Sequence, residues 1–125
     1  FPDGDGAIKF NDGLRGPKDI LMTLPILGWK LYERFGYIYH PDYTSIYCDN
    51  EQTAVCHYSG RLAVSEICLC KHAWTNEPWD ELHERNENAE MYKIDGAVYK
   101  QRLDNRFDMD ALGIDYQWPK DPLGV

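Results

Sequence analysis

Apolar residues in this chain of 125 residues fall into short runs that alternate with stripes at helical spacing, and this alternation limits the fold more than any other feature. Strands repeat with a period of two and helices with a period of 3.6, so the two kinds of run in turn imply an α/β domain. Ala7-Ile8-Lys9-Phe10 forms a short strand candidate inside a glycine-rich opening, and Asn11-Asp12-Gly13 is a strong turn signal. Leu24, Leu27, Leu31 and Phe35 predict a helix with Thr23 at its N-cap, Pro25 in its first turn and Gly36 as its stop. Tyr37-Ile38-Tyr39 then reads as a strand, ended by His40-Pro41.

Ser45-Ile46-Tyr47-Cys48 is a second short apolar run. Asp49 follows in an N-cap position with Gln52 three residues on, which is a capping-box spacing. That helix runs to about Tyr58 and stops at Gly60. Residues 61–70 predict a strand through Leu62, Val64, Ile67 and Leu69, with the alternation broken at Ser65-Glu66. A short helix is expected over 79–84 and a longer one over 88–106, with Tyr92, Gly96, Tyr99 and Leu103 as its stripe. Gly96 in mid-helix costs about 1 kcal/mol against Ala, which points to close packing at that position. The expected fold is a short mixed sheet with three to four helices. So thin a sheet leads us to expect a companion half before Phe1. Residues 108–125, with their Asp, Pro and Gly, are expected as a loosely docked tail.

The formal net charge of -8 argues against a nucleic-acid partner, which needs a basic face for its phosphates. It argues equally against docking on an anionic membrane surface. No apolar run reaches the roughly 18–20 residues of a membrane span. Cys48, Cys56, Cys68 and Cys70 fit no common zinc spacing and are sparser than the cysteines of a small secreted scaffold. Reduced, mostly buried thiols and a cytoplasmic setting are therefore expected. Cys68 and Cys70 would share one face of the predicted strand. The nine tyrosines and four tryptophans suit either a core or the apolar faces of sugars.

Asp49-Asn50-Glu51 is the leading candidate for chemistry. Carboxylates at a helix N-terminus stay ionised easily, and an ionised carboxylate there can take a proton from a hydroxyl. Simple capping explains the same residues. His72 is either a cation ligand or a strand-end histidine bonded to a carbonyl. Asn11 and Asp12 either form a turn or line a pocket. Trp74 either stacks on a sugar or closes the core, and Trp79 is assigned to the core. Asp3-Gly4-Asp5 has the spelling of a cation motif but sits among turn residues and reads as a turn. His40 reads as structural.

Several of these segments occur in an ordered set: Asn11-Asp12-Gly13, Leu24-Pro25-Ile26-Leu27, 35–43 from Phe-Gly-Tyr-Ile-Tyr to His-Pro-Asp-Tyr, Asp49-Asn50-Glu51, Lys71-His72-Ala73-Trp74-Thr75 and Trp79-Asp80. Together they resemble the C-terminal part of bacterial and phage glycosyltransferase-like proteins of the family 2 type, which have the GT-A fold. The resemblance covers roughly residues 1–107. It implies the acceptor-side portion of such a domain and an inverting transfer from a nucleotide-sugar donor to a hydroxyl acceptor. It also implies that this stretch alone is inactive.

The family's base is an acidic pair at the start of a late helix. Asp49-Asn50-Glu51 departs from the usual adjacent Glu-Asp, so the base is Asp49 or, as the alternative, Glu51. The resemblance further implies a divalent cation, Mn²⁺ or Mg²⁺, held mainly by residues outside this chain with His72 completing its shell. Asn11, Asp12 and Trp74 would contact the acceptor. Two other readings compete: a carbohydrate-binding or protein-interaction module without catalysis, and a small metal-binding domain built on Cys56, Cys68, Cys70 and His72.

Overall fold

The computed structural model describes residues 1–16, 18–72 and 80–122. Among them lie three strands, β1 (Ala7–Lys9), β2 (Ile26–Leu27) and β3 (Leu62–Val64), and four α-helices, α1 (Trp29–Phe35), α2 (Cys48–Tyr58), α3 (Glu81–Asn86) and α4 (Ala89–Asp104). A 3₁₀ segment, Arg106–Leu112, follows α4. The fold is mixed α/β, as the alternation implied.

The sheet has the order β2-β1-β3. β1 runs antiparallel to β2, with Ala7 opposite Leu27, and parallel to β3, with Ala7 opposite Leu62 and Lys9 opposite Val64. The parallel pairing needs a long crossover, and the stretch containing α1 and α2 supplies it. One core joins the elements: Ala7, Met22, Leu31, Phe35, Ala54, Val55, Tyr99, Phe107 and Met109 pack together, with Leu27, Leu62 and Trp118 against them.

Several boundaries differ from the pattern, each for a local reason. The helix expected from Pro25 begins at Trp29, because Ile26 and Leu27 pair with β1 first. Gly28 joins the two elements where the backbone crosses Gly4 so closely that a Cβ would lie 2.2 Å from the Gly4 carbonyl oxygen. Leu24, expected in the buried stripe, is therefore half exposed. Gly36 ends α1 as expected, in the left-handed conformation (φ 75°) that favours glycine.

Tyr37-Ile38-Tyr39 forms no strand. Its rings are held singly instead: Tyr37 packs between Phe35 and His40, and the Tyr39 hydroxyl donates to the Thr23 carbonyl (3.2 Å). The strand expected over 61–70 stops at Val64, because its partner β1 is only three residues long. Cys68 and Cys70 beyond it are exposed rather than buried.

The helices of the C-terminal half follow expectation more closely. Asp80 caps α3, accepting from the His83 N–H at 3.0 Å. Asn88 caps α4, accepting from the Met91 N–H at 3.0 Å. The buried face of α4 is Asp95, Tyr99 and Arg102, turned from the expected stripe, so Tyr92 is half exposed. The segment expected as a loosely docked tail contributes to the core: Met109 is fully buried, Ile114 is buried, and the Trp118 ring packs on Tyr58 and Phe107. A left-handed run at Arg106, Phe107 and Asp108 (φ 53° each) turns the chain back so that this can happen.

Candidate functional site

α2 does not begin as a capping box. Its N-cap is Tyr47, in the left-handed region at φ 67°, and no side chain caps it. Asp49 lies inside the first turn, where its carboxylate accepts the N–H of its neighbour Asn50 (2.9 Å). Gln52, expected to reach back to the cap, is buried and directs its amide to the Cys56 sulfur (3.6 Å). Asp49 and Glu51, two positions apart, therefore face different surroundings.

Glu51 points into the core and is 4% exposed. Arg102 of α4 holds it with two hydrogen bonds of 2.7 Å, and the Tyr43 hydroxyl donates a third at 2.6 Å. Burial and the Glu51 carboxylate push the Tyr43 phenol well above its ordinary range. Arg102 also reaches Asp108 at 3.0 Å. A buried carboxylate paired in this way by a guanidinium fork has no free access to a substrate hydroxyl.

Asp49 lines a cleft of about 470 Å³ with Arg15, Thr23, His72, Glu87 and Tyr92. Burial raises its carboxyl above the ordinary aspartate range. The Asn50 N–H, its own backbone and the charges of Arg15 and His72 pull the other way without cancelling that rise. A carboxylate of raised pKa is a better proton acceptor than an exposed one, provided it remains ionised at the working pH. The structure brings Asp49 and His72 into one cleft. The backbone N–H of His72 donates to the Asp12 carbonyl (2.7 Å), which ties the 70–72 segment to the turn after β1.

Asn11 and Asp12 do not line that cleft. They lie on a neighbouring apolar cavity of about 420 Å³ with Phe10, Leu24, Ile26, Ile38, Tyr39 and Leu69. Both carboxamide and carboxylate are engaged in the turn: Asn11 accepts from Gly13 (2.8 Å), and Asp12 accepts from Leu14 and Arg15 (3.0 Å each) and from the Thr23 hydroxyl (3.2 Å). Burial works to raise the Asp12 carboxyl, but those donors outweigh it and hold the group below its ordinary range. A larger cavity, about 630 Å³, is lined by His57, Asp115 and Tyr116 and by none of the expected site residues. Trp74 and Trp79 lie outside the described residues.

The remaining candidates resolve into structural roles. Asp5 is bound to Arg34 by bonds of 2.8 and 2.9 Å and to Arg61 at 3.4 Å, and Asp3 to Lys30 at 3.2 Å, so the Asp3-Gly4-Asp5 turn holds ion pairs. The His40 ring packs edge-on to Tyr37 and Tyr43. Cys56 is buried within α2 while Cys68 and Cys70 are exposed, so the four-ligand arrangement with His72 does not assemble. Among the described residues no three His, Cys, Asp or Glu side chains are grouped to hold a metal ion. No helix among them is long and apolar enough to cross a membrane.

Two residues of the site went unnoticed in the sequence. Asp95 and Arg102 stand on the face of α4 that carries Tyr99, the one holding the loop before α2 and the other holding Glu51. Their signal was present: charged residues at positions 95 and 102 share the helical spacing of Tyr92 and Tyr99.

Comparison of the chain with family models, with curated proteins and with solved structures gives no match.

Proposed function

We propose that this chain is the acceptor-side part of a GT-A-type glycosyltransferase, and that Asp49 is the base that activates an acceptor hydroxyl for attack on a nucleotide-sugar. The observation that carries the reading is the division of the acidic pair. Asp49 stands with His72 in an open cleft, while Glu51 is consumed by Arg102 and Tyr43. The two residues that the resemblance joins in one site, a base on α2 and a histidine after β3, are supported by that shared cleft.

In the proposed step the acceptor hydroxyl gives its proton to an Asp49 oxygen as its own oxygen bonds to the donor's anomeric carbon. The bond from that carbon to the nucleoside diphosphate breaks, and the diphosphate leaves with the electron pair. Asp49 is kept basic by its partial burial, and the Asn50 N–H orients its carboxylate. A divalent cation would neutralise the departing diphosphate. His72 would be this chain's contribution to holding it. The described residues alone do not compose a cation centre, so its main ligands would come from elsewhere in the protein.

The test is nucleoside diphosphate release from a panel of nucleotide sugars by the intact polypeptide. Asp49→Asn should lower turnover by roughly 10²–10⁴-fold, the usual contribution of a general base. Unchanged turnover in a folded Asp49→Asn protein would remove Asp49 from the chemistry.

A second reading, a carbohydrate-binding module, draws on Trp29 and Tyr32. These exposed rings sit three residues apart on α1, where an apolar sugar face can stack. Binding of sugar that survives Asp49→Asn but is lost in Trp29→Ala, in a protein without turnover, favours it.

A further inference from the structure

Asp95 is fully buried near the middle of α4, yet among the described residues it has no salt-bridge partner. Its two carboxylate oxygens accept three consecutive backbone N–H groups of the loop before α2: Thr44 at 3.0 Å, Ser45 at 2.7 Å and Ile46 at 2.7 Å. The next residue is Tyr47, whose φ of 67° is rare for a bulky side chain. Such a conformation is strained and persists only where its surroundings over-determine it. α4 supplies those surroundings twice over. Asp95 holds the three preceding amides. The Tyr47 ring lies against Tyr92 and Tyr99, and its edge comes so close to Gly96 that a Cβ there would be 3.3 Å away. The close packing expected from a mid-helix glycine is thus a notch for Tyr47. Asp49 follows two residues later.

We infer that Asp95 is a positioning residue for Asp49, fixing the left-handed turn at Tyr47 from which the first turn of α2 presents that carboxylate to the cleft. The inference rests on Asp49 being the base, and it extends the site to a residue that never touches substrate. α4 then has two tasks on one face: Arg102 neutralises Glu51 in the core, and Asp95 sets the path of the chain that delivers Asp49.

The test reads the surroundings of Asp49 directly, by carbon-13 NMR titration of its carboxyl. The charged and titratable groups that line its cleft are Arg15, Tyr39, Tyr47, Cys48, His72, Glu87 and Tyr92, and none is changed in the variants; the charge of Asp95, which reaches Cys48, is lost in Asp95→Asn and kept in Gly96→Ala. Asp95→Asn keeps the size of the side chain but replaces one acceptor oxygen with a donor. The loosened turn should let water reach Asp49, and its midpoint should fall toward the ordinary aspartate range.

Gly96→Ala perturbs the same turn from the other side by pushing on the Tyr47 ring. It should move the midpoint in the same direction, although alanine by itself favours the helix. Met109→Ala, a core truncation outside the turn, is the control for general loosening and should leave the midpoint in place. In the active protein Asp95→Asn should lower kcat about tenfold or more with little change in the acceptor KM.

An unchanged Asp49 midpoint in folded Asp95→Asn overturns the inference. An unchanged midpoint in folded Gly96→Ala, which alters no charge, overturns it whether or not Asp95→Asn folds or shifts. An equal shift in Met109→Ala does so as well. The titration gives its answer whether or not the protein transfers a sugar, so failure of the inference and failure of the enzymatic reading are separate results.

Discussion

Replacing Arg102 with leucine should be among the most damaging single changes in this chain. The substitution leaves Glu51, whose side chain is 5% exposed, inside the core without its cation. Two charge-assisted hydrogen bonds of 2.7 Å disappear, and the Tyr43 hydroxyl alone remains on the carboxylate. Removing one partner of a buried ion pair costs about 3–5 kcal/mol, because the other charge stays behind desolvated. In a chain of 125 residues each kcal/mol lowers the thermal midpoint by about 4 °C, so the midpoint should fall by roughly 12–20 °C.

The assay is a circular-dichroism melt near neutral pH, paired with a urea titration. The double variant Glu51→Leu/Arg102→Met supplies the internal check. With both charges gone no ion is stranded, and much of the lost stability should return. An Arg102→Leu protein within about 1 kcal/mol of wild type would refute the argument. It would mean that Glu51 is neither desolvated nor dependent on Arg102, and it would restore Glu51 as a candidate base.

Three other outcomes follow from the same geometry. Asp49 has a raised carboxyl, so the folded state favours its protonated form and pays a penalty once pH exceeds the ordinary aspartate value of 3.8. Asp49→Asn should therefore raise the thermal midpoint near neutral pH, and the gain should vanish in melts below that value. Asp5 shifts the other way: its hydrogen bonds to Arg34 hold it below 3.8, so its stabilising contribution is present above that value and is lost as pH falls through its lowered one. Asp5→Asn should accordingly destabilise near neutral pH and match wild type in strong acid. Among the thiols, burial pushes Cys56 up to about 12 and Cys48 up to about 11, whereas Cys68 and Cys70 are exposed. A thiol reagent near neutral pH should label Cys68 and Cys70 quickly in the native protein and reach Cys56 only in denaturant.

What was legible in the sequence was mostly local. Helix stops at Gly36 and Gly60, the start of α4 near residue 88 and the turn at 11–13 are chemistry of neighbouring residues, and each stands close to its expected place. Elements that depend on distant partners were misread. Leu27 has helical spacing with Leu31, yet Ile26 and Leu27 join the sheet because β1 offers an antiparallel edge. Residues 66–70 carry strand-like apolar positions with no strand beside them and stay exposed.

The site divided in the same way. The triplet at 49–51 was visible as an acidic cluster, but local pattern could not separate its two carboxylates. That separation comes from α4, where Arg102 claims Glu51, and from the turn at Tyr47, where backbone geometry no capping rule anticipates starts the helix two residues early. The segment after Phe107 was underestimated because its Asp, Pro and Gly content hid Met109, Ile114 and Trp118, which dock only once the chain reverses at Arg106-Phe107-Asp108.

The proposed sugar transfer hangs on a functional difference between two neighbouring carboxylates, and one paired measurement isolates it. Nucleoside diphosphate release from nucleotide sugars should be followed in the intact polypeptide for wild type, Asp49→Asn and Glu51→Gln, each at a temperature where it is folded. The base assignment predicts that Asp49→Asn loses roughly 10²–10⁴-fold in turnover while its fold is kept or strengthened. It predicts for Glu51→Gln a lowered melting point and much milder loss of turnover per folded molecule. Full turnover in Asp49→Asn, or a loss confined to folded Glu51→Gln, would contradict it.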